Sequence, residues 1–353
     1  MCHTTKKKQD KEQATLCKES TMTRLSLVYL LLFALHAHAW MQRKMLSSFW
    51  AGRYTAPKPE ARTGQPDRPT PLIMTTVDVE GVDVLASKPV WPGRERRQIP
   101  LGNQKKATVL SRKVQITSDW TITVWEWEKP SAVVETYWAV EEQGLALTPS
   151  LSESQKTPLL DPFGLVCWPG SVVAAQEMKE YRDLFAGRRV LILGAGVGVE
   201  AQAAAMMGAK HVIATDIHPT TLKLCKYGAE QAGLSSVIST KKLDLSSVEP
   251  LPTCDIIVVA DVLYNERLAL LVIKRILESQ RQNNPAPPVL VTDSQRFVQD
   301  FDETLSRELK KIGEPSVQWA SRWLPTFTGS GVVVDADQTY DVKARVLWVN
   351  KNQ

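Results

Sequence analysis

The sequence predicts an α/β protein: a doubly wound sheet of seven strands, ending in an antiparallel hairpin and preceded by a small β-rich N-terminal lobe. Three observations predict it. Between residues 161 and 312, short apolar, β-branched runs alternate with segments of helical periodicity, the pattern of parallel strands joined by crossover helices. Beyond 312, two further strand-like runs follow with no helix between them. Before 161, runs rich in Val, Ile, Thr and Trp alternate in part between apolar and polar positions, as half-buried strands do.

Taken in order, residues 71–105 are mixed and predict no element. Val109–Ile116 and Trp120–Trp127 read as a hairpin with Ser118 and Asp119 in its turn. Val133–Val140 continues the unit as strand or helix, and Thr148–Pro162 is a polar loop. Ser171–Phe185 has helical periodicity, with Ser171 as N-cap and Gly187 as the stop. Arg189–Leu193, Lys210–Thr215, Val237–Leu243, Asp255–Ala260 and Val289–Thr292 are strands; Glu200–Met207, Pro219–Ala232, Arg267–Gln280 and Phe297–Ile312 are helices. Val317–Trp323 and Ala344–Val349 close the chain, joined through Thr328-Gly329-Ser330-Gly331. The expected division is 1–39, 40–85, a lobe over 86–160, and the main domain over 161–353.

Length and composition fit this plan. A chain of 353 residues accommodates two domains or one large domain with a tail. At 43% hydrophobic and 23% charged residues it can bury a core, which excludes global disorder. Five cysteines without a CxxC pair argue against a disulfide framework or a structural zinc site, and no metal is expected. Residues 1–70 hold 12 Lys/Arg against 5 Asp/Glu, and the remainder 31 against 33. The basicity therefore belongs to the N-terminal stretch, and the body offers no basic surface for nucleic acid.

That stretch reads as an address. Met22-Thr23-Arg24, the apolar run Leu25–Leu35 and the Ala37-His38-Ala39 site make a signal peptide behind a polar leader. The run is shorter than the roughly 20 residues a spanning helix needs. Residues 40–70 are basic and contain Ser, Thr and Pro, like a transit peptide. An aromatic residue, Trp40, directly after the cleavage site resembles the bipartite presequences of proteins sent to algal secondary plastids. Plastid import is the expectation, with no membrane attachment after cleavage. Ordinary secretion, with 40–85 as a disordered linker, is the alternative.

Five motifs carry chemistry. Val190-Leu-Ile-Leu-Gly194-Ala-Gly196-Val-Gly198 runs a buried strand into a Gly-rich turn and a helix, where glycine permits tight turning and close approach of a ligand. The spacing is GxGxG, not the dinucleotide GxGxxG. Asp216 ends the second strand, where a carboxylate either accepts both ribose hydroxyls or caps the helix from Pro219. Asp244 ends the third strand as an adenine acceptor or a loop aspartate. Asp261-Val-Leu-Tyr264 follows the fourth strand at the mouth of the predicted site. Asp161-Pro-Phe-Gly164-Leu-Val-Cys-Trp168-Pro169-Gly170-Ser171 either walls a pocket or places a core Trp.

Together these residues resemble the seven-strand, Rossmann-like class I methyltransferases dependent on S-adenosylmethionine. More narrowly they are similar to the methyltransferase-family-16 group, which includes many protein-lysine methyltransferases. The resemblance covers about 105–353. It implies that Gly194, Gly196 and Gly198 cradle the methionine and ribose end of S-adenosylmethionine, Asp216 holds the ribose, Asp244 the adenine, and Trp168 packs near the cofactor. It implies that Asp261 and Tyr264 line the methyl-transfer site, Asp261 also bordering the cofactor. It further implies a protein lysine as acceptor, with a small amine as alternative, and a non-catalytic binding module as the rival class. A monomer is expected. One departure stands out: the group carries an acidic residue two positions before the first glycine, and here that residue is Ile192. Trp319 and Trp323 either shape the acceptor entrance or pack in the core.

Overall fold

The structure, a computed structural model, describes residues 93–102, 105–130, 162–282, 285–294, 298, 300–329 and 337–351. All lie within the second of two units of the chain, Thr76–Gln353. The expected element at Val133–Val140, most of the loop before Pro162, and the whole presequence fall outside the described residues.

Strands β1 (Arg96–Gly102), β2 (Lys105–Thr117) and β3 (Trp120–Trp127) form an antiparallel sheet in that order. Ser118 and Asp119 make the β2–β3 turn, as expected. β1 has no counterpart among the elements expected from sequence, and its composition explains why. It is an edge strand carrying Arg96, Arg97 and Pro100, with a register shift between Pro100 and Gly102. Charge and proline are tolerated at an edge and erase the alternation on which a strand is recognised.

Next comes a 3-10 turn (Phe163–Leu165), then α1 (Pro169–Glu180) and α2 (Arg182–Phe185). The expected cap at Ser171 is corrected. Trp168 is the extended N-cap residue and Pro169 occupies the first turn, where its fixed φ and missing N–H cost nothing. The remainder alternates: β4 (Arg189–Leu193), α3 (Val199–Met206), β5 (His211–Asp216), α4 (Pro219–Gln231), β6 (Ile238–Lys242), β7 (Ile256–Ala260), α5 (Glu266–Gln282), β8 (Val289–Asp293), α6 (Phe301–Lys310), β9 (Ala320–Gly329) and β10 (Gln338–Val349). Strand order is β6-β5-β4-β7-β8-β10-β9, parallel through β8, with β10 antiparallel to both β8 and β9. The terminal hairpin is thus present, and both of its strands are longer than the sequence indicates.

Alternation along β4 shows the double winding. Val190 and Ile192 pack with α1, α3 and α4 on one face, and Leu191 and Leu193 with α5 and α6 on the other. Val109, Val124 and Trp125 of the three-stranded sheet belong to the first of these cores. The chain lays down β4, moves outward to β5 and β6, then returns to place β7 on the opposite side of β4. That reversal opens a crevice at the carboxyl ends of β4 and β7, where open α/β sheets bind ligands.

Candidate functional site at the strand switch point

Five chain segments meet at this crevice. Gly194, Gly196 and Gly198 leave β4 with φ of +74°, +52° and +90°. At Gly198, the N-cap residue of α3, a Cβ would stand 2.6 Å from the Cys225 sulfur. Only glycine satisfies both that backbone and that approach. Gly196 lies opposite Gly164, where an added Cβ would sit 3.4 Å from the Gly196 Cα and 2.8 Å from Thr221 Cγ2. Two glycines thus pack backbone to backbone across the turn, with no space for a side chain at Gly164.

Asp216 fixes this turn. Its Oδ2 accepts the Gly196 N–H at 3.1 Å and its Oδ1 the His218 N–H at 2.9 Å. It does not cap α4: His218 does, its Nδ1 accepting from the Thr220 N–H. Asp244 stands apart. β6 ends two residues before it, and its Oδ1 accepts the Ser246 N–H and hydroxyl, both at 2.7 Å. Burial opposes its ionisation, but these bonds, with Arg267 and Arg275 nearby, hold the carboxyl below its ordinary range. Its link to the turn runs through Leu243, whose N–H donates to the Asp216 carbonyl.

Asp261 is buried at the end of β7 with φ +53°, a left-handed conformation that Asp tolerates better than most residues. Its Oδ2 accepts the Gly170 N–H at 2.6 Å, in the first turn of α1, where the helix dipole favours negative charge. Its Oδ1 accepts the Ser294 N–H and hydroxyl at 2.7 and 2.8 Å, while Thr292 donates to the Gly170 carbonyl. A Cβ at Gly170 would lie 2.5 Å from the Asp261 carboxyl carbon. The carboxylate therefore ties α1, β7 and the end of β8 into one corner. Tyr264 meets Phe163 edge-on at 5.3 Å, and Trp168 Nε1 donates to the Phe163 carbonyl at 2.7 Å. Trp168 and Tyr264 are joined through Phe163 into an aromatic wall. Of the two late tryptophans, Trp319 packs on Phe301 and under Arg345, in the core, whereas Trp323 is exposed on β9.

Several participants escaped the sequence reading. Thr221 has no signal of its own, since its role comes from contacts across the turn, whereas Phe163 and Gly164 stand in the sequence only as members of the Asp161–Ser171 motif. Ser294 lies beyond β8, within reach of Asp261 only because β7 and β8 are neighbours. Glu200 had one available signal, a lone acid on an Ala-rich helix directly after the Gly-rich turn. In the structure it is 1% exposed, and burial lifts its carboxyl to about 7 despite a hydrogen bond from Ser171.

This crevice fits the cofactor that the motifs imply. The Thr221 hydroxyl is fully buried and has no hydrogen-bond partner among the described residues, as expected of a group whose partner is a ligand. Gly194, Gly196 and Gly198 carry no side chain over the turn, and Asp216 and Asp261 provide negative charge for a cationic donor. Among the described residues no group of three or more His, Cys, Asp and Glu is arranged to hold a metal. No helix there is long and apolar enough to cross a membrane.

Comparison with known proteins agrees with this geometry. The electron transfer flavoprotein beta subunit lysine methyltransferase of Danio rerio is 30% identical over 124 residues, covering 32% of this chain and 43% of that one. The protein-lysine N-methyltransferase EEF2KMT of Homo sapiens is 28% identical over 192 residues, 48% of this chain and 56% of that protein. The histone-arginine methyltransferase METTL23 of Xenopus laevis is 31% identical over 112 residues, 30% and 47%. The chain thus aligns with less than half the length of the first of these relatives. Residues 154–311, which hold the Gly-rich turn, Asp216, Asp244, Asp261 and Tyr264, match the family model described as lysine methyltransferase, the group that the sequence motifs resemble.

Proposed function

We propose that this protein transfers a methyl group from S-adenosylmethionine to a lysine side chain of another protein. The observation that carries the reading is the Gly194–Gly198 turn, fastened by Asp216 at the strand switch point, inside the segment that matches the lysine methyltransferase family. Bound S-adenosylmethionine supplies an activated methyl on a sulfonium, so the protein's work is positioning. Gly194, Gly196 and Gly198 present their backbone to the donor. Asp216 orders the turn, and its carboxylate lies where the ribose hydroxyls are held. Trp168, Phe163 and Tyr264 form a wall that keeps water from the crevice and orients the incoming amine, which reacts in its neutral form. The aromatic faces also suit a methylated ammonium. Asp261 acts from behind that wall: it braces α1 against β7 and β8, and its charge favours the approach of a cationic acceptor. Asp244 serves the adenine end from its turn.

An arginine acceptor is the second reading, favoured by the relative from Xenopus laevis. The presequence features support import into a plastid, where the free cysteines Cys167, Cys225 and Cys254 suit a reducing compartment. Incubating the purified protein with labelled S-adenosylmethionine and a protein extract tests the reading. Label on lysine supports it, label on arginine moves it to the second reading, and label confined to small molecules contradicts both.

A further inference from the structure

Glu200 is a buried acid just after the Gly-rich turn whose charged neighbours are carboxylates. It lies in the first turn of α3, two positions after Gly198, and is 1% exposed. Ser171 of α1 hydrogen-bonds to it, and the charges that act on it most strongly are the carboxylates of Asp261 and Asp216. The other ionisable groups around α3 bring no countercharge. Burial raises the thiols of Cys167, ahead of α1, and Cys225 of α4, the latter to about 12, so both stay neutral. His218, at the start of α4, is pushed down by burial and is neutral as well. Glu126 of β3 is held by Arg94 and Arg112, Glu177 of α1 by Arg322, and Lys241 of β6 by Glu249. A buried carboxyl facing two carboxylates is costly unless a cation arrives. Across the Gly-rich turn, next to Gly164, the buried Thr221 hydroxyl lacks a partner among the described residues, an independent sign of a ligand at this turn. Ile192, two positions before Gly194, is fully buried in the same core face that α3 covers, so β4 brings no charge of its own to the turn.

We propose that Glu200, at the start of α3, is the carboxylate that meets the sulfonium of the cofactor in this protein. This rests on the methyltransferase reading above. It makes the site sensitive to the sulfonium charge. S-adenosylmethionine carries that charge and S-adenosylhomocysteine does not, so Glu200 holds the donor and lets the spent product go. Since Glu200 must ionise to do so, donor binding releases a proton below neutral pH and strengthens as pH rises toward 7.

The test is calorimetric titration of the full-length protein with each ligand between pH 5.5 and 8.5, for wild type, Glu200→Gln and Glu200→Asp. Wild type is expected to favour S-adenosylmethionine above pH 7 and to lose that preference below pH 6. Glu200→Gln is expected to weaken donor binding about 10- to 100-fold, to change product binding within about threefold, and to flatten the pH dependence. Glu200→Asp is expected to keep the preference. An unchanged ratio and pH profile in Glu200→Gln overturns the proposal. Should that variant not fold, a wild-type preference that is independent of pH overturns it equally. Failure of wild type to bind either ligand overturns the methyltransferase reading, and this inference with it.

Discussion

At the scale of single residues the site depends on a few atoms that tolerate little change. Gly198 has φ +90° and no space on its Cα, with Cys225 Sγ 2.6 Å from a built Cβ. Gly198→Ala is expected to destabilise the protein by about 1–3 kcal/mol and to abolish S-adenosylmethionine binding, read by urea unfolding and by calorimetry. Asp261 accepts three hydrogen bonds from Gly170 and Ser294. Asp261→Ala strands those donors and places a Cβ-only residue at positive φ. A loss of roughly 3 kcal/mol follows, with the midpoint of thermal unfolding as the check. Asp261→Asn keeps one acceptor and tolerates the left-handed backbone, so it should be folded and less destabilised, with methyl transfer impaired through a displaced α1. Glu200 gives a pH signature without any ligand. Its folded value of about 7 exceeds the ordinary 4.5, so the folded state keeps a proton that the unfolded state releases between these values. The contribution of Glu200 to the stability of the cofactor-free protein is therefore fully present below pH 4.5 and is lost as pH rises through 7, by on the order of 3 kcal/mol. Urea unfolding at pH 5 and pH 8 should show this slope in wild type and its loss in Glu200→Gln. These residues differ in how plainly the sequence shows them. The glycines and Asp216 are legible because their spacing follows a strand. Glu200 and Thr221 are not, because a first-turn acid and a helical threonine are ordinary until tertiary contacts bury them.

At the scale of elements, the alternation of strands with helices is legible because β4, β7 and β8 are buried on nearly every residue and read as apolar runs. The edges are less so. β9 contains Pro325 and a bulge at Thr326, where φ is +53° and the register against β10 slips, and Asp341 accepts the Thr326 N–H. Proline suits an edge strand at such a bulge, yet it ends the strand pattern when read from sequence. Glu126 shows how one buried charge fastens elements distant in sequence. Its Oε2 accepts from Arg94 and Arg112, and its Oε1 accepts the Cys167 N–H ahead of α1. Glu126→Ala takes a buried carboxylate from two guanidinium groups that keep Asp337 and leaves the buried Cys167 N–H without its acceptor. It should cost about 3–5 kcal/mol and loosen the segment that carries Trp168, lowering cofactor affinity as well as the unfolding midpoint.

At the scale of the whole molecule, β1–β3 are part of the unit that carries the candidate site. They share a core with α1, α3 and α4, Gln202 of α3 donates to the Thr123 carbonyl, and Gln176 of α1 donates to the Ile116 carbonyl. Removing residues 93–130 strips that core face, so the remainder is expected to be insoluble or to lack a cooperative thermal transition. The sequence shows a β-rich N-terminal lobe but not this shared core, since packing between sheets leaves no periodic trace. The central claim, methyl transfer to protein lysine, is tested most directly by tandem mass spectrometry of an extract treated with the purified protein and methyl-labelled S-adenosylmethionine, with Gly198→Ala as the inactive control. The account predicts label on lysine side chains of discrete proteins, absent with the control. Cofactor binding with no labelled lysine in any protein fraction would contradict it.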